Sequence, residues 1–202
     1  IVVDDHSEDD AVARLDRSDT RLRLHKSRGQ GVSSAFNTGM ALARGDFIAR
    51  MDADDLALAN RIRDQLDYLG RHTDVDLCGG KVELFSASGL AGGNQRYQAW
   101  LNGCTTPDEI TRELFVESPI PNPTAFFRRE ALLRLGGYRD PDWPEDYDLF
   151  LRADALGMKM GKPSAVLLRW REHDTRLTRT DKRYELERFQ AAKIHYLVQY
   201  RL

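Results

Sequence analysis

Phe47-Ile48-Ala49-Arg50-Met51-Asp52-Ala53-Asp54-Asp55 is the stretch on which the reading of this chain turns. An apolar run of strand character, Phe47 to Met51, delivers three carboxylates to its C-terminal end, and a helix-like stretch follows. Like charges this close repel, so something positive must sit among them, and a divalent cation meets that need. Alternate residues of an extended segment point the same way, which would let Asp52 and Asp54 reach one ion directly or through water. Hard oxygen donors suit Mg²⁺ or Mn²⁺ and not a closed zinc site. A helix start that favours acids accounts for Asp55 and for Asp54, but not for Asp52. In an open α/β sheet, ligands bind at the carboxyl ends of the strands. The stretch therefore predicts a metal site that holds a charged substrate such as a diphosphate.

Upstream, Ile1 to Val3 reads as a buried strand closed by Asp4-Asp5-His6-Ser7, Ala11 to Leu15 as helical, and Leu22 to His25 as a short strand. Val32, Ala35, Phe36, Gly39, Met40 and Ala43 recur at helical spacing, with Gly45 as a stop. Downstream, Asn60 can cap a helix with Ile62, Leu66 and Leu69 facing inward, and Val75 to Cys78 and Lys81 to Phe85 read as strands. This alternation predicts an α/β fold, a Rossmann-like and mostly parallel sheet flanked by helices. After Ser86 the character changes. Ser88 to Asn94 reads as a loop, Pro107 to Val116 as a helix, Pro119 to Pro123 as a loop before the strand Thr124 to Phe127, and Arg129 to Leu135 as a helix ended by Gly136-Gly137. Pro144 opens a helix with Leu149, Phe150, Ala153 and Leu156 as its apolar face and Gly157 as its stop. Val166 to Trp170 is a further strand. The expected organisation is one domain over residues 1–180, with a nucleotide-binding half at about 1–86 and a smaller acceptor-side half at about 87–180. A C-terminal amphipathic helix, 181–202, follows.

The 202 residues suffice for one domain with a real core. A composition 41% apolar and 31% charged is that of a water-exposed globular chain, and a formal charge of −2 argues against a nucleic-acid binder. Cys78 and Cys104 lie far apart, which fits a reduced cytoplasmic compartment and not a disulfide framework. No apolar run is long enough to span a bilayer and no signal-peptide pattern is present. In the terminal helix, Lys182, Arg183, Arg188, Lys193 and Arg201 allow peripheral contact with the inner face of a membrane, and a homodimer face or core packing are the other readings of the same residues.

Three further clusters could carry chemistry. Asp4-Asp5 at the end of the first strand could accept hydrogen bonds from a nucleobase or ribose, or could simply build a turn. In Trp143-Pro144-Glu145-Asp146, the helix dipole would keep a first-turn carboxylate ionised, as a general base requires. Arg169-Trp170-Arg171-Glu172-His173, with Arg176, offers arginines for a leaving diphosphate and an imidazole for a metal or phosphate.

In this order the four clusters resemble the family 2 glycosyltransferases of the GT-A fold. Ile1-Val2-Val3-Asp4-Asp5-His6-Ser7 is similar to the family's second strand, with His6 where Gly or Asn is usual. Gly31-Val32-Ser33-Ser34-Ala35-Phe36-Asn37-Thr38-Gly39 resembles its Gly-Val-Ser-x-Ala-x-Asn-x-Gly helix start. Met51-Asp52-Ala53-Asp54-Asp55 resembles its metal motif, Asn122-Pro123-Thr124 with Phe127-Arg128-Arg129 the strand lining its acceptor side, and Gly136-Gly137-Tyr138 with Glu145-Asp146-Tyr147 its base segment. The family's opening apolar strand and the helix after it have no counterpart, and the chain starts without Met. The resemblance implies a metal-dependent inverting transfer of sugar from a nucleoside diphosphate sugar, UDP-linked in expectation, to a hydroxyl on a glycan, lipid-linked or other acceptor. It implies Asp54, Asp52 and His173 on Mn²⁺ or Mg²⁺; Asp4, Asp5, Arg28, Asn37, Asp52 and Arg171 on the donor; and Asp146, or else Glu145, as base. Two rivals remain at this point. A phosphatase using Asp52 as nucleophile wants lysines that Lys26, Lys81, Lys159 and Lys162 do not supply. A catalytically incomplete nucleotide-sugar-binding module would keep the fold without turnover.

Overall fold

The computed structural model describes residues 1–87, 89–90 and 92–200. Ser88 and Ala91 of the expected loop, and Arg201 and Leu202 of the expected terminal helix, lie outside them. The α/β class stands. Strands β1 (Val2–Asp4) and β2 (Leu24–Lys26) pair in parallel, and α1 (Val32–Leu42) follows. Strand β3 (Phe47–Ala49) leads into the acidic turn, and β4 (Leu56–Ala57) and α2 (Arg61–Arg71) leave it. Then come β5 (Leu77–Cys78), β6 (Lys81–Phe85), α3 (Gly92–Gly103), α4 (Pro107–Glu113), β7 (Phe126–Arg128), α5 (Arg129–Leu135), α6 (Glu145–Ala155), β8 (Met160–Gly161), β9 (Val166–Arg171), α7 (Leu177–Thr180) and α8 (Leu186–Tyr200).

The strands form a central sheet in the order β3-β7-β5-β8, a second of β4-β9-β6, and the β1-β2 pair. Fewer ladders are parallel than strand–helix alternation predicts. Strand β7 runs antiparallel to both its neighbours, because the chain reaches it through the α3–α4 excursion and not through a single crossover helix. Ala11 to Leu15 is a run of turns and not a helix. Helix α3 was not legible from sequence, since its Gly92-Gly93 start reads as loop. Helix α4 opens on a capping box, Thr106 accepting from the Glu109 amide, behind Pro107 at its first turn. Helix α5 ends as expected, with Gly136 and Gly137 at φ 76° and 73°, a left-handed backbone that suits glycine.

The main core is built around α6, in which Tyr147 to Ala153 are all buried. Phe127 and Phe150 are fully buried there with Leu132, Leu149 and Ile110. Each such side chain contributes roughly 1.5–3 kcal/mol. Leu156, expected on the apolar face, is 54% exposed. Its place inside is taken by an Asp148–Arg152 pair at 3.3 Å, with Arg152 also donating to the Leu135 and Gly137 carbonyls. Helix α8 packs on α6 through Ala192 and Tyr196, whose hydroxyl donates to Asp148 at 2.8 Å. Of its expected apolar residues, Leu186 and Ile194 face solvent, 70% and 62% exposed.

Helix α2 inverts the sequence expectation. Ile62 and Leu66 are exposed, and the buried face is Arg61, Gln65, Tyr68 and Leu69. The reason lies beneath it, where three chain segments end with unpaired carbonyls. Gln65 donates through Nε2 to the carbonyls of Gly79 (3.0 Å) and Thr124 (2.8 Å), and Arg61 donates to that of Arg50. Buried polar backbone must be satisfied, so a polar face is what this sheet end accepts. Gln65→Leu should strand two buried carbonyls at a cost of about 1–3 kcal/mol each. A urea midpoint that stays put in that variant would refute the assignment.

Candidate active site

The acidic turn begins where β3 ends. The Arg50 amide still pairs with the Ala125 carbonyl at 2.9 Å, and the chain then turns, with Asp55 N 3.5 Å from the Asp52 carbonyl. Asp52 and Asp54 therefore do not share the single direction that an extended segment would give them. Strand β9 pulls the turn over: the Arg171 amide donates to Asp55 Oδ1 (2.8 Å) and Arg171 Nε to the Asp54 carbonyl (2.7 Å). Asp55 is buried, its Oδ2 has no partner among the described residues, and burial pushes its pKa up to about 6. It is the anchor of the turn.

Asp52 points to Arg50, whose Nη2 lies 2.8 Å from Asp52 Oδ1. The Arg50 side chain is only 7% exposed, against 35% for Asp52. Burial opposes the charge on Arg50, but Asp52, Tyr138 and Asp146 together outweigh it and raise its pKa. The positive charge that the carboxylates require is thus partly supplied by the chain itself. Asp54 points the other way, to His173, with Oδ2 3.0 Å from Nε2, and His173 Nδ1 meets Thr175 Oγ1 at 2.9 Å.

Asp146 sits on the first turn of α6. Its Oδ1 accepts from the Tyr147 amide at 2.7 Å. The helix dipole does not dominate here as the sequence suggests. Burial, and then the charge of adjacent Glu145, push the Asp146 pKa up, and the Tyr147 amide and Arg50 only partly offset them. Glu145 is itself buried and accepts from the Tyr184 hydroxyl at 2.8 Å. The buried Arg50 guanidinium pairs with Asp52 and also feels the charge of Asp146.

The other expected residues are placed differently. Asp4 accepts from the Ser7 amide (2.9 Å), which lowers its pKa and makes it a turn former; His6 beside it adopts φ 61°, a left-handed backbone in which Gly or Asn would be at ease. Asp5 accepts from the Gly31 amide with both oxygens, at 3.1 and 2.9 Å. Arg28 is exposed, and its amide donates to Thr38. The Asn37 amide faces the Tyr138 backbone, donating to its carbonyl (2.8 Å) and accepting from its N–H (2.9 Å). Arg171 is committed to the acidic turn and lies over the Phe85 ring. Arg169 pairs with Glu83, and Arg176 pairs with Glu172. Asn122, Pro123 and Thr124, expected along the acceptor side, are buried, with the Tyr138 hydroxyl donating to Asn122.

Sequence reasoning missed Arg50, Arg61 and Tyr184. A charged residue inside the apolar run Phe47 to Met51 was the available signal for Arg50. A groove of about 540 Å³ runs beside these groups. Its floor is apolar, from Val32, Phe36 and Met40 of α1 and Phe47 and Ile48 of β3, with Asp5 and Asp52 among its polar lining. Among the described residues β1 pairs only with β2 and β3 only with β7, so each leaves one edge free.

The model of the family described as Glycosyl transferase family 2 matches residues 1–136. The amylovoran biosynthesis glycosyltransferase AmsE of Erwinia amylovora is 28% identical over 141 residues, 70% of this chain and 50% of that protein. The UDP-Gal:alpha-D-GlcNAc-diphosphoundecaprenol beta-1,3-galactosyltransferase of Escherichia coli is 25% identical over 174 residues, 86% of this chain and 61% of that protein. The chain thus spans about half to three-fifths of the length of these curated relatives. Among solved structures, S. aureus TarS 1-349 in complex with UDP-GlcNAc superposes with a TM-score of 0.74 at 16% identity, covering 100% of this chain and 58% of that 1-349 chain. The mannosyltransferase PcManGT of Pyrobaculum calidifontis, in complex with GDP-Man and Mn²⁺, gives 0.59 at 21% identity, covering 98% and 52%. These likenesses carry the fold, which is GT-A.

If Asn37 serves the Tyr138 turn, Asn37→Ala should lower the urea midpoint by the equivalent of about 1–3 kcal/mol. Unchanged stability with weakened nucleotide affinity would return Asn37 to the donor site.

Proposed function

The chain belongs to glycosyl transferase family 2, and from that membership we propose that it forms the donor-binding and catalytic part of a divalent-metal-dependent, inverting glycosyltransferase that uses a nucleoside diphosphate sugar. The observation that carries this reading is the disposition of Asp52 and Asp146 about the buried Arg50 guanidinium. A UDP-linked donor is supported by relatives and neighbours whose titles name UDP-Gal, UDP and UDP-GlcNAc.

A divalent ion fits the donor set. Asp54 offers a hard carboxylate oxygen 3.0 Å from the His173 imidazole nitrogen, and both can turn to one cation. Asp52, paired with Arg50 and turned away from Asp54, would reach such an ion through water. Among the described residues no group of three or more His, Cys, Asp or Glu converges as a metal cage. The proposed ion would take its remaining ligands from the diphosphate and water, as Mg²⁺-type sites usually do. When bound, the ion supplies charge stabilisation to the departing diphosphate.

The chain's own residues do the rest. Asp5 and Asp52 face the same groove and flank the donor. Buried Arg50 pairs with Asp52 at 2.8 Å and carries an Nη1 donor with no partner among the described residues. Asp146 takes the proton from the acceptor hydroxyl as that oxygen attacks the anomeric carbon, and the bond from that carbon to the diphosphate oxygen breaks, with inversion. A carboxylate whose pKa has been raised by burial toward working pH suits a general base, which favours Asp146 for that role. Cytoplasmic placement follows from the nucleotide-sugar substrate. Among the described residues no helix is long and apolar enough to cross a membrane.

Asp54→Ala should abolish Mn²⁺-dependent binding of UDP, read by calorimetry; equal affinity in the variant would remove Asp54 from the metal. Asp146→Asn should leave UDP affinity in place and cut turnover at least ~10²-fold. Because only the ionised carboxylate accepts a proton, and its pKa is raised, wild-type kcat should fall with decreasing pH well above the ordinary carboxylate range. A rate that is flat from neutral pH down to pH ~4, the reference range for a free Asp, would dismiss Asp146 as base. Tight UDP binding without turnover in any UDP-sugar assay would favour the incomplete binding module instead.

A further inference from the structure

His173, on the segment that follows β9, has a partner on each ring nitrogen. Nε2 meets Asp54 Oδ2 at 3.0 Å, and Nδ1 meets Thr175 Oγ1 at 2.9 Å. We propose that Thr175 is a positioning residue for the cation site: its hydroxyl fixes the His173 ring and serves both of the ring's proton arrangements, so that Nε2 can pass from Asp54 to a divalent ion. The inference rests on the metal-dependent reading and adds to it a residue that does not itself touch the ion.

An ionised carboxylate only accepts hydrogen bonds, whereas a neutral imidazole has one N–H and one bare nitrogen. A neutral ring beside Asp54 therefore carries its proton on Nε2, and the bare Nδ1 accepts from the Thr175 O–H. A histidine that ligates a metal must offer a bare nitrogen. For Nε2 to face a cation, the proton must sit on Nδ1, and the Thr175 oxygen then accepts from it. The charge of the ring is the same in both arrangements: solvent takes one proton from Nε2 and returns one to Nδ1. A hydroxyl both donates and accepts, so rotation about its C–O bond meets both arrangements with the oxygen in one place. An ammonium or a carboxylate at this position could meet only one of them. An oxygen partner on the far ring N–H is the usual support of a metal-bound histidine.

The backbone that carries both residues is fastened without help from the imidazole. The Glu172 amide donates to the Phe85 carbonyl at 2.8 Å, and the Arg176 amide donates to the His173 carbonyl at 3.4 Å. The Glu172 carboxylate pairs with Arg176 at 2.7 Å and also with Arg179, and the Arg176 guanidinium stacks over the Trp170 ring at 4.5 Å. A short side chain on a segment held in this way keeps its oxygen in place while the ring exchanges partners. The His173 side chain is 36% exposed. That is open enough for a hydrated ion to arrive, and for water to replace part of a lost hydroxyl, which sets the expected effect at the small end.

The test compares the wild-type chain with Thr175→Val, which keeps the shape and removes the hydroxyl, and with Thr175→Ser, which keeps the hydroxyl. Thr175 is exposed, so all three should share one urea midpoint. Without metal, long-range proton–nitrogen NMR of the His173 ring should show a hydrogen-bonded Nδ1 in the wild type and in Thr175→Ser, and an Nδ1 without that bond in Thr175→Val. With UDP present, Mn²⁺ affinity is read from the EPR signal of the free ion. It should fall about 10-fold in Thr175→Val, the low end of the ~10–100-fold range for losing such a partner, and Thr175→Ser should restore it. Equal Mn²⁺ affinity in the wild type and Thr175→Val, or an equal loss in both variants, overturns the role of Thr175 and leaves the metal reading in place. A His173 Nδ1 resonance that ignores the valine does the same. A wild-type chain that takes up no Mn²⁺ with UDP defeats the metal reading and this inference with it, so the wild-type titration tells the two failures apart.

Discussion

A guanidinium with 7% of its side chain exposed, at the end of the central sheet, is the constraint around which the site is organised. Taking a charge out of water costs several kcal/mol unless partners repay it. Arg50 is repaid by Asp52 at 2.8 Å and by the field of Asp146. The dependence runs both ways. With Arg50 charged, Asp52 has an opposite charge at 2.8 Å in a place where two more carboxylates crowd it. Asp146, held further off, receives only part of that benefit, and its desolvation beside Glu145 wins.

That guanidinium is in turn positioned by backbone. The Arg50 carbonyl accepts from Arg61 and its amide pairs with Ala125, while Gln65 on the next turn of α2 holds Thr124. Burial draws the Arg61 pKa down to about 10, the mark of a charge held for its hydrogen bonds and not for attraction. The polar face of α2 is a frame joining the ends of β3, β5 and β7, which explains why Ile62 and Leu66 are left in solvent. On the far side, the clamp between Asn37 and Tyr138 fixes the turn after Gly136-Gly137. A Cβ on Gly137 would collide with the Asn37 amide oxygen, so the glycine and the asparagine are one device.

The C-terminal segment, from Tyr184 through helix α8, packs against α6. Tyr196 reaches Asp148, Tyr184 reaches Glu145, and Phe189 packs against the main core. Of the basic residues that suggested a membrane face, Arg183 pairs with Asp140 and Asp181, and Lys193 donates to the Val116 carbonyl. These charges are engaged within the fold.

The sequence by itself determined the α/β class, the family, and the chemical types at the site: three acids at a strand end, a proline-opened helix with Glu145 and Asp146, and a histidine after the last strand. Those are local facts, written in strand and helix periods, glycine stops and the order of short motifs. Where each side chain points was decided only by tertiary structure. Asp52 and Asp54 diverge because β9, more than a hundred residues later in the chain, takes hold of Asp55 and of the Asp54 carbonyl. Arg171 and Asn37 read as ligand contacts in the sequence, and in the fold they also bond the Asp54 carbonyl and the Tyr138 backbone, partners that no local window contains. Buried polar groups must find partners wherever the fold brings them. The burial that raises Asp146 is likewise a property of the packed chain, and a helix start read alone predicts the opposite sign.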